Sequence, residues 1–400
     1  MRLLTARRNY GDCRFARCGV VAGSTGRPGR PPPSRSADRH TQVRYWATAG
    51  VRNGAALGIW RGIVTLSRVD IVAVDEGEAF WDDRSALLAG LRENPPRVPA
   101  HFGYDALGSD LFELITELPD YYLTRVEYGL LRRHAGEMAD LIGCGLIAEL
   151  GSGSAKKTRL LLAACADRRP TSYLPIDVSR EMLESSGRDL TAELPGLRVQ
   201  GLWGRYEAGL AWLRDSKPEP VTVSFLGSNL GNMPLDERDR LLSEIVGTLR
   251  PGDGFLVSVD LLKSAQVLEA AYNDPVGQSA FTRFRLNHLD HLNRRFGGDF
   301  DPQIFSSRAH FDTGTGTVDA RVYATADHSV AFRDFDLELN LRRGDSLNVG
   351  LSHKFRREQF VADVAARGLE LRAQWTDEEW QYGIFLFTCT RDRGEAADAL

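Results

Sequence analysis

The chain has 400 residues, 50 Lys and Arg against 54 Asp and Glu, a net charge of −4 and 42% hydrophobic residues. That is enough for one large core or two smaller ones, and no apolar run is long enough to span a bilayer. Residues 1–62 hold twelve Arg against two Asp, which leaves −14 for the remainder; so acidic a body argues against nucleic acid as the main partner. Five cysteines, two of them before residue 20, predict reduced thiols and a cytoplasmic setting. Cys144 and Cys389 lack metal-ligand spacing and read as packing residues.

Residues 1–71 are basic and rich in Gly, Pro and Ser, as in Arg27-Pro28-Gly29-Arg30-Pro31-Pro32-Pro33. They read as a disordered extension from an upstream start, with translation beginning at a valine near Val69 or Val72; a basic targeting or nucleic-acid arm is the alternative. From Ala79 to Asn94 the spacing of Phe80, Trp81, Leu87, Leu88 and Leu91 predicts a helix, stopped by Pro95-Pro96. Tyr104, Tyr121 and Tyr122 stand beside Gly and Pro turns. They read equally well as boundary packing or as the lining of a pocket.

Leu146–Leu150 is a short apolar run interrupted by Glu149. It enters Gly151-Ser152-Gly153-Ser154, and a helix is expected from Lys156. Strand, glycine turn and helix open a nucleotide-binding α/β sheet: glycine admits close backbone approach, and the helix start presents unpaired N–H groups. Lys156 stands where the dinucleotide fingerprint has its third glycine. A second strand ends at Asp177, 26 residues past Gly151, where this fold places a carboxylate for ribose hydroxyls; capping of the next helix is the competing role. A third strand, Leu197–Leu202, runs into Gly204-Arg205-Tyr206-Glu207. A fourth, Pro220–Leu226, empties into Gly227-Ser228-Asn229-Leu230-Gly231-Asn232. Helix Asp236–Leu249 and strand Phe255–Val259, ending in Asp260, complete a parallel sheet with right-handed crossovers. Gly151, Asp177, Gly204 and Asn232 all fall at its carboxyl edge, where such sheets bind ligands.

Ala265 to Phe296 reads as helices. His288 and His291, three apart, read as polar surface rather than as metal ligands, and no metal is expected. Residues 304–351 alternate as strands at Val318–Tyr323, Phe335–Leu339 and Leu347–Val349. Helix Arg356–Arg367 and an antiparallel pair, Glu370–Trp375 with Tyr382–Cys389, close the chain. An antiparallel insert thus interrupts the α/β sheet.

Four blocks together, Tyr104-Asp-Ala-Leu-Gly-Ser-Asp-Leu-Phe-Glu, Leu118-Pro-Asp-Tyr-Tyr-Leu-Thr-Arg-Val-Glu127, Glu149-Leu-Gly-Ser-Gly-Ser-Ala-Lys-Lys-Thr158 and Phe225-Leu-Gly-Ser-Asn-Leu-Gly-Asn232, resemble the S-adenosylmethionine-dependent histidine Nα-methyltransferases of ergothioneine biosynthesis. That family has relatives acting on other amino acids, such as the fungal dimethylallyltryptophan N-methyltransferases. The resemblance spans roughly residues 75–392. It implies a Rossmann-like class I methyltransferase core, 126–262 plus 355–392, and a second α+β substrate-binding domain, 72–125 plus 263–354, built from an N-terminal segment and a C-terminal insert. A monomer is expected.

The resemblance also implies roles. Gly151 and Lys157 would hold the methionine part of the cofactor, Asp177 its ribose diol, and Arg205-Tyr206 would lie beside adenine, where the family has Asp-Phe. Tyr104 would stand near the methyl-transfer centre, and Tyr121, Asn232 and Tyr272 would hold the amino and carboxylate groups of an amino acid. In the side-chain pocket Gly350 replaces the Glu that grips imidazole, Ala320 replaces a Met, and Ser352 remains. Polar readout discriminates more strongly than apolar shape, so a non-histidine and plausibly aromatic substrate is expected. An NAD-linked oxidoreductase on the same turn and a non-catalytic cofactor-binding relative are the rival readings.

Overall fold

The computed structural model describes residues 69–75, 81–143, 145–216 and 220–390. What the sequence led us to expect of residues 1–68, of Phe80 and of Cys144 lies outside them. In chain order, β1 (Asp70–Ala73), α1 (Arg84–Leu91), α2 (Ala106–Thr116) and α3 (Tyr122–Ile142) precede β2 (Leu146–Leu150), α4 (Thr158–Ala166), β3 (Thr171–Asp177), α5 (Arg180–Glu193) and β4 (Leu197–Trp203). Next come α6 (Tyr206–Ser216), β5 (Val221–Phe225), α7 (Leu235–Thr248), β6 (Gly254–Asp260), α8 (Ala265–Ala271) and α9 (Ala280–Phe296). The chain then runs through β7 (Phe305–Asp312), β8 (Thr317–Ala324), β9 (His328–Phe332), β10 (Leu337–Leu341), β11 (Ser346–His353), α10 (Arg357–Ala365), β12 (Leu369–Asp377) and β13 (Tyr382–Cys389).

The main sheet runs β1-β4-β3-β2-β5-β6-β13-β12. The first six of these strands are mutually parallel, and β13 reverses between β6 and β12. From β2 outward this is the doubly wound order, with its switch point between β2 and β5. Every residue of β2 and of β5 is buried, as a central parallel strand covered on both faces requires. Successive side chains face opposite layers. Ile147, Tyr173 and Leu256 meet Leu130, Leu161 and Leu162, whereas Ala148, Val223 and Val257 meet Leu210, Leu242 and Phe360.

β7, β8 and β11 form a separate antiparallel sheet in the order β11-β8-β7, and β9 pairs with β10. Val322, Leu347 and Val330 share a core there with Leu289, Leu292 and Phe296 of α9 and with Phe102. The strand expected at Phe335–Leu339 begins at Leu337 instead, because Leu341 extends the alternation and pairs with His328. His288 and His291 are a correction: both are buried on α9, not on a polar surface. Phe284 and Leu292, four residues either side of His288, put it on the apolar face; His291 Nδ1 lies 2.7 Å from the Phe102 carbonyl.

Two expected boundaries fall inside elements. Residue 71 lies within β1, which pairs with β4 and so belongs to the main sheet. Residue 125 lies within α3, whose Tyr122, Leu123, Val126 and Leu130 form one buried stripe. The helix expected from Lys156 starts at Thr158, since Ala155 takes a left-handed φ of 51°. Among the described residues no helix is long and apolar enough to cross a membrane, and no cluster of His, Cys, Asp and Glu is arranged to hold a metal ion.

Candidate active site

At the carboxyl end of β2 the turn alternates into left-handed backbone at Gly151 (φ 66°), Gly153 (φ 49°) and Ala155 (φ 51°). A Cβ on Gly151 would stand 2.8 Å from the Tyr206 hydroxyl. The close approach therefore requires glycine, and it brings Tyr206 against the turn. Tyr206 is held edge-on to Phe225, with ring centroids 5.4 Å apart. Asp177 accepts from Gly153 N–H (2.9 Å) through one oxygen and from Ser179 N–H (2.9 Å) through the other. Burial raises its pKa above the usual aspartate value, against these backbone donors. Each oxygen keeps a second lone pair, so a vicinal diol meets two acceptors here. These features fit the nucleoside and ribose of S-adenosylmethionine.

A residue the sequence reading missed joins this turn to the next loop. Glu127 is the one fully buried charge on α3's apolar stripe. Its carboxylate pairs with Lys157 and accepts from Gly227 N–H (2.7 Å), Ser258 Oγ (2.5 Å) and Tyr382 Oη (3.0 Å). Burial alone would raise its pKa; Lys157 and the donors outweigh burial and hold it low. Glu127 thus fixes both Lys157 and the loop after β5. That loop carries a second left-handed non-glycine residue, Ser228 (φ 58°), whose hydroxyl accepts from Asp260 N–H (2.9 Å). Such strained positions persist where the surroundings over-determine them, and both lie at this edge. Asn232 follows, its side-chain amide 3.5 Å from Asn229 Oδ1.

The tyrosines converge from three elements. Tyr104 is anchored through its neighbour Asp105, which caps α2 through Gly108 N–H (2.8 Å) and accepts from Asn287 (2.8 Å) and Arg294 (2.6 Å) of α9. Its ring lies 5.6 Å from Phe112 and 5.1 Å from Phe284. Tyr121 at the start of α3 stands edge-on to Tyr272 (6.0 Å), Phe281 (5.9 Å) and Phe112 (6.3 Å). Tyr122, next in sequence, points the other way and donates to Asp260 (2.7 Å). The Tyr272 hydroxyl meets Ser352 Oγ (3.0 Å), and Lys354 Nζ donates to both (2.8 and 3.0 Å) and pairs with Asp260 (2.8 Å). Lys354 and Asp260 are fully buried, and Lys263 also pairs with Asp260. Burial alone would lower the Lys354 pKa; Asp260 more than offsets it. Asn232 belongs to the same neighbourhood, because a Cβ on Gly231 would meet the His353 carbonyl at 2.6 Å, between Ser352 and Lys354.

Gly350 and Ala320 are cross-strand partners on β11 and β8. A Cβ on Gly350 would meet nothing nearer than the Ala320 Cβ at 3.9 Å, so the position faces open space. The Arg205 guanidinium pairs with Asp75 (2.5 Å) beyond β1, while the Tyr206 hydroxyl stays against the turn. Lys354 and Asp260 had a sequence signal, a lysine two residues past Ser352 just beyond a strand's end and an acid at another strand's carboxyl end. Glu127 closes one of the motif blocks.

The histidine-specific, S-adenosylmethionine-dependent methyltransferase family matches residues 83–389. The histidine N-alpha-methyltransferase of Mycolicibacterium smegmatis is 35% identical over 81% of this chain and 99% of its own length. That of Mycobacterium tuberculosis is 33% identical over 76% and 94%. A 4-dimethylallyltryptophan N-methyltransferase of Epichloe festucae var. lolii is 27% identical over 73% and 90%. The chain is an S-adenosylmethionine-dependent N-methyltransferase and belongs to the histidine-specific methyltransferase family.

Proposed function

We propose that this enzyme methylates the α-amino nitrogen of a free amino acid other than histidine, with an aromatic side chain as the leading candidate. The observation that supports this reading is the gathering of Tyr121, Tyr272, Ser352 and Lys354 beside the Asn232 loop, with open space where a side chain at Gly350 would stand. Gly151, Lys157, Asp177 and Tyr206 would hold S-adenosylmethionine, which supplies an electrophilic methyl carbon when bound.

The chain's own work is alignment and desolvation. Lys354 donates to the Tyr272 and Ser352 oxygens, so one of the two hydroxyls can donate to the other while its partner turns a hydrogen toward a substrate carboxylate. Asn232 and Tyr121 would orient the amine. Among aromatic rings a buried amine favours its neutral form, so its proton leaves to water on binding and no strong base is required. Holding that lone pair in line with the methyl group is the main catalytic contribution. The positive charge that appears on nitrogen then lies among Tyr104, Tyr121 and Phe284, whose ring faces stabilise cations.

The test is a panel of the twenty free amino acids incubated with the enzyme and S-adenosylmethionine, read by mass spectrometry and then by kcat/KM. The expected result is Nα-methylation of a non-histidine member. Histidine as the best substrate would refute the altered pocket.

A further inference from the structure

We propose that Arg285 reads the far end of the substrate side chain and selects one ending in an oxygen acceptor, a phenol or a carboxylate, over an apolar or cationic one. The inference rests on the reaction proposed above and deepens it.

Arg285 lies on α9 with 3% of its surface exposed. It donates to the Tyr272 carbonyl and to Ser307 Oγ (3.0 Å), and its guanidinium sits 5.0 Å above the centroid of Phe281. No carboxylate among the described residues pairs with it. Asp274, whose charge acts on it, directs its oxygens at Phe281 N–H (2.8 Å), Thr282 N–H (2.8 Å) and the Thr282 hydroxyl (2.7 Å). A guanidinium has five N–H donors, and the two partners that Arg285 meets directly, the Ser307 hydroxyl and the Tyr272 carbonyl, are neutral. Burial lowers its pKa to about 10, which leaves it charged at neutral pH.

Its place in the sheet says where a further acceptor would reach it. Ser307 and Ala309 face the same side of β7, about 7 Å apart along the strand. Ala309 pairs with Ala320, which pairs with Gly350. Tyr272 bridges the space, its carbonyl on Arg285 and its hydroxyl on Ser352. The opening over Ala320 and Gly350 therefore lies between the guanidinium and the Ser352–Lys354 end of the clamp. A substrate held at Tyr272 and Ser352 sends its side chain along this opening toward Arg285. A purely structural pin on the Tyr272 carbonyl would affect all substrates alike.

The experiment compares kcat/KM for matched pairs, tyrosine with phenylalanine and glutamate with methionine, using the full chain, S-adenosylmethionine and S-adenosylhomocysteine release as the readout. In at least one pair the acceptor-ended member is expected to lead by about 10- to 100-fold, the worth of a hydrogen bond to a charged group. Arg285→Gln is expected to bring that ratio close to one with S-adenosylhomocysteine affinity unchanged. Apolar members that equal or exceed their partners overturn the inference, as does a variant that slows both members equally. Should Arg285→Gln fail to fold, Ser307→Ala, which frees one anchor of the guanidinium, must shrink the ratio several-fold for the inference to stand. Cofactor-product binding without methylation of any amino acid overturns the reaction itself; methylation with flat ratios overturns only the role of Arg285.

Discussion

Lys354→Met removes the ammonium while methionine fills the space of the lysine stem, so the cavity cost is small. Three contacts disappear: Asp260 at 2.8 Å, the Tyr272 hydroxyl at 2.8 Å and Ser352 at 3.0 Å. Breaking a buried pair costs about 3–5 kcal/mol when the remaining charge is stranded. Here Asp260 keeps Lys263 and the Tyr122 hydroxyl, which places the loss near the low end, roughly 3 kcal/mol. For a fold of about 300 residues, whose unfolding entropy is about 0.65 kcal/mol/K, that corresponds to a fall in Tm of roughly 4–5 °C. The folded pKa of Lys354 lies above its ordinary value, so its stabilisation is complete below the unfolded pKa near 10.4 and fades only as pH rises through the folded one. The wild-type to variant difference in urea unfolding should therefore be constant from pH 6 to 9. Because the lysine also sets the direction of two hydroxyls, kcat/KM for the amino acid should fall about 10- to 100-fold while S-adenosylhomocysteine affinity holds. A double-mutant cycle with Tyr272→Phe should show coupling of about 1 kcal/mol or more. Additive effects, or an unaltered kcat/KM, would refute the argument that Lys354 acts through Tyr272.

Asn232→Ala should lose most activity yet bind S-adenosylhomocysteine normally in calorimetry; unchanged turnover would remove Asn232 from the mechanism. Arg205→Ala gives up only a half-exposed ion pair with Asp75, worth at most about 1 kcal/mol, and should leave cofactor-product affinity within about twofold; a tenfold loss would put the guanidinium on the cofactor after all. His288 is buried with its pKa pushed down to about 4. Between that value and about 6.5 the unfolded chain binds the extra proton, so roughly 3 kcal/mol of stability drains away as pH falls through this window. Urea unfolding of His288→Gln should show a shallower loss there, and equal slopes would contradict the assignment.

The parallel core was legible because apolar strands end in glycine or acidic turns and alternate with helices that bury one apolar face, which puts Gly151, Asp177, Gly204 and Asn232 together at the carboxyl edge. What stayed hidden depends on pairs remote in sequence. Glu127 looks like one more charge on an amphipathic helix until α3 lies across β6 and β13 and sets it against Lys157 and Gly227, 30 and 100 residues away. Arg205 looks like a lost adenine contact until β1 brings up Asp75 from 130 residues upstream. His288 looks polar because residue type suggests a surface, yet Phe284 and Leu292 already placed it on the buried face. The pocket shows the same limit with greater consequence. Substitution at Gly350 and Ala320 reads in sequence as a loss of polarity, whereas packing of α9 on β7 brings the buried Arg285 to the same space. On the role proposed for Arg285, the pocket would present a donor where the resemblance implies an acceptor, and its selectivity should be reversed in sign rather than merely relaxed.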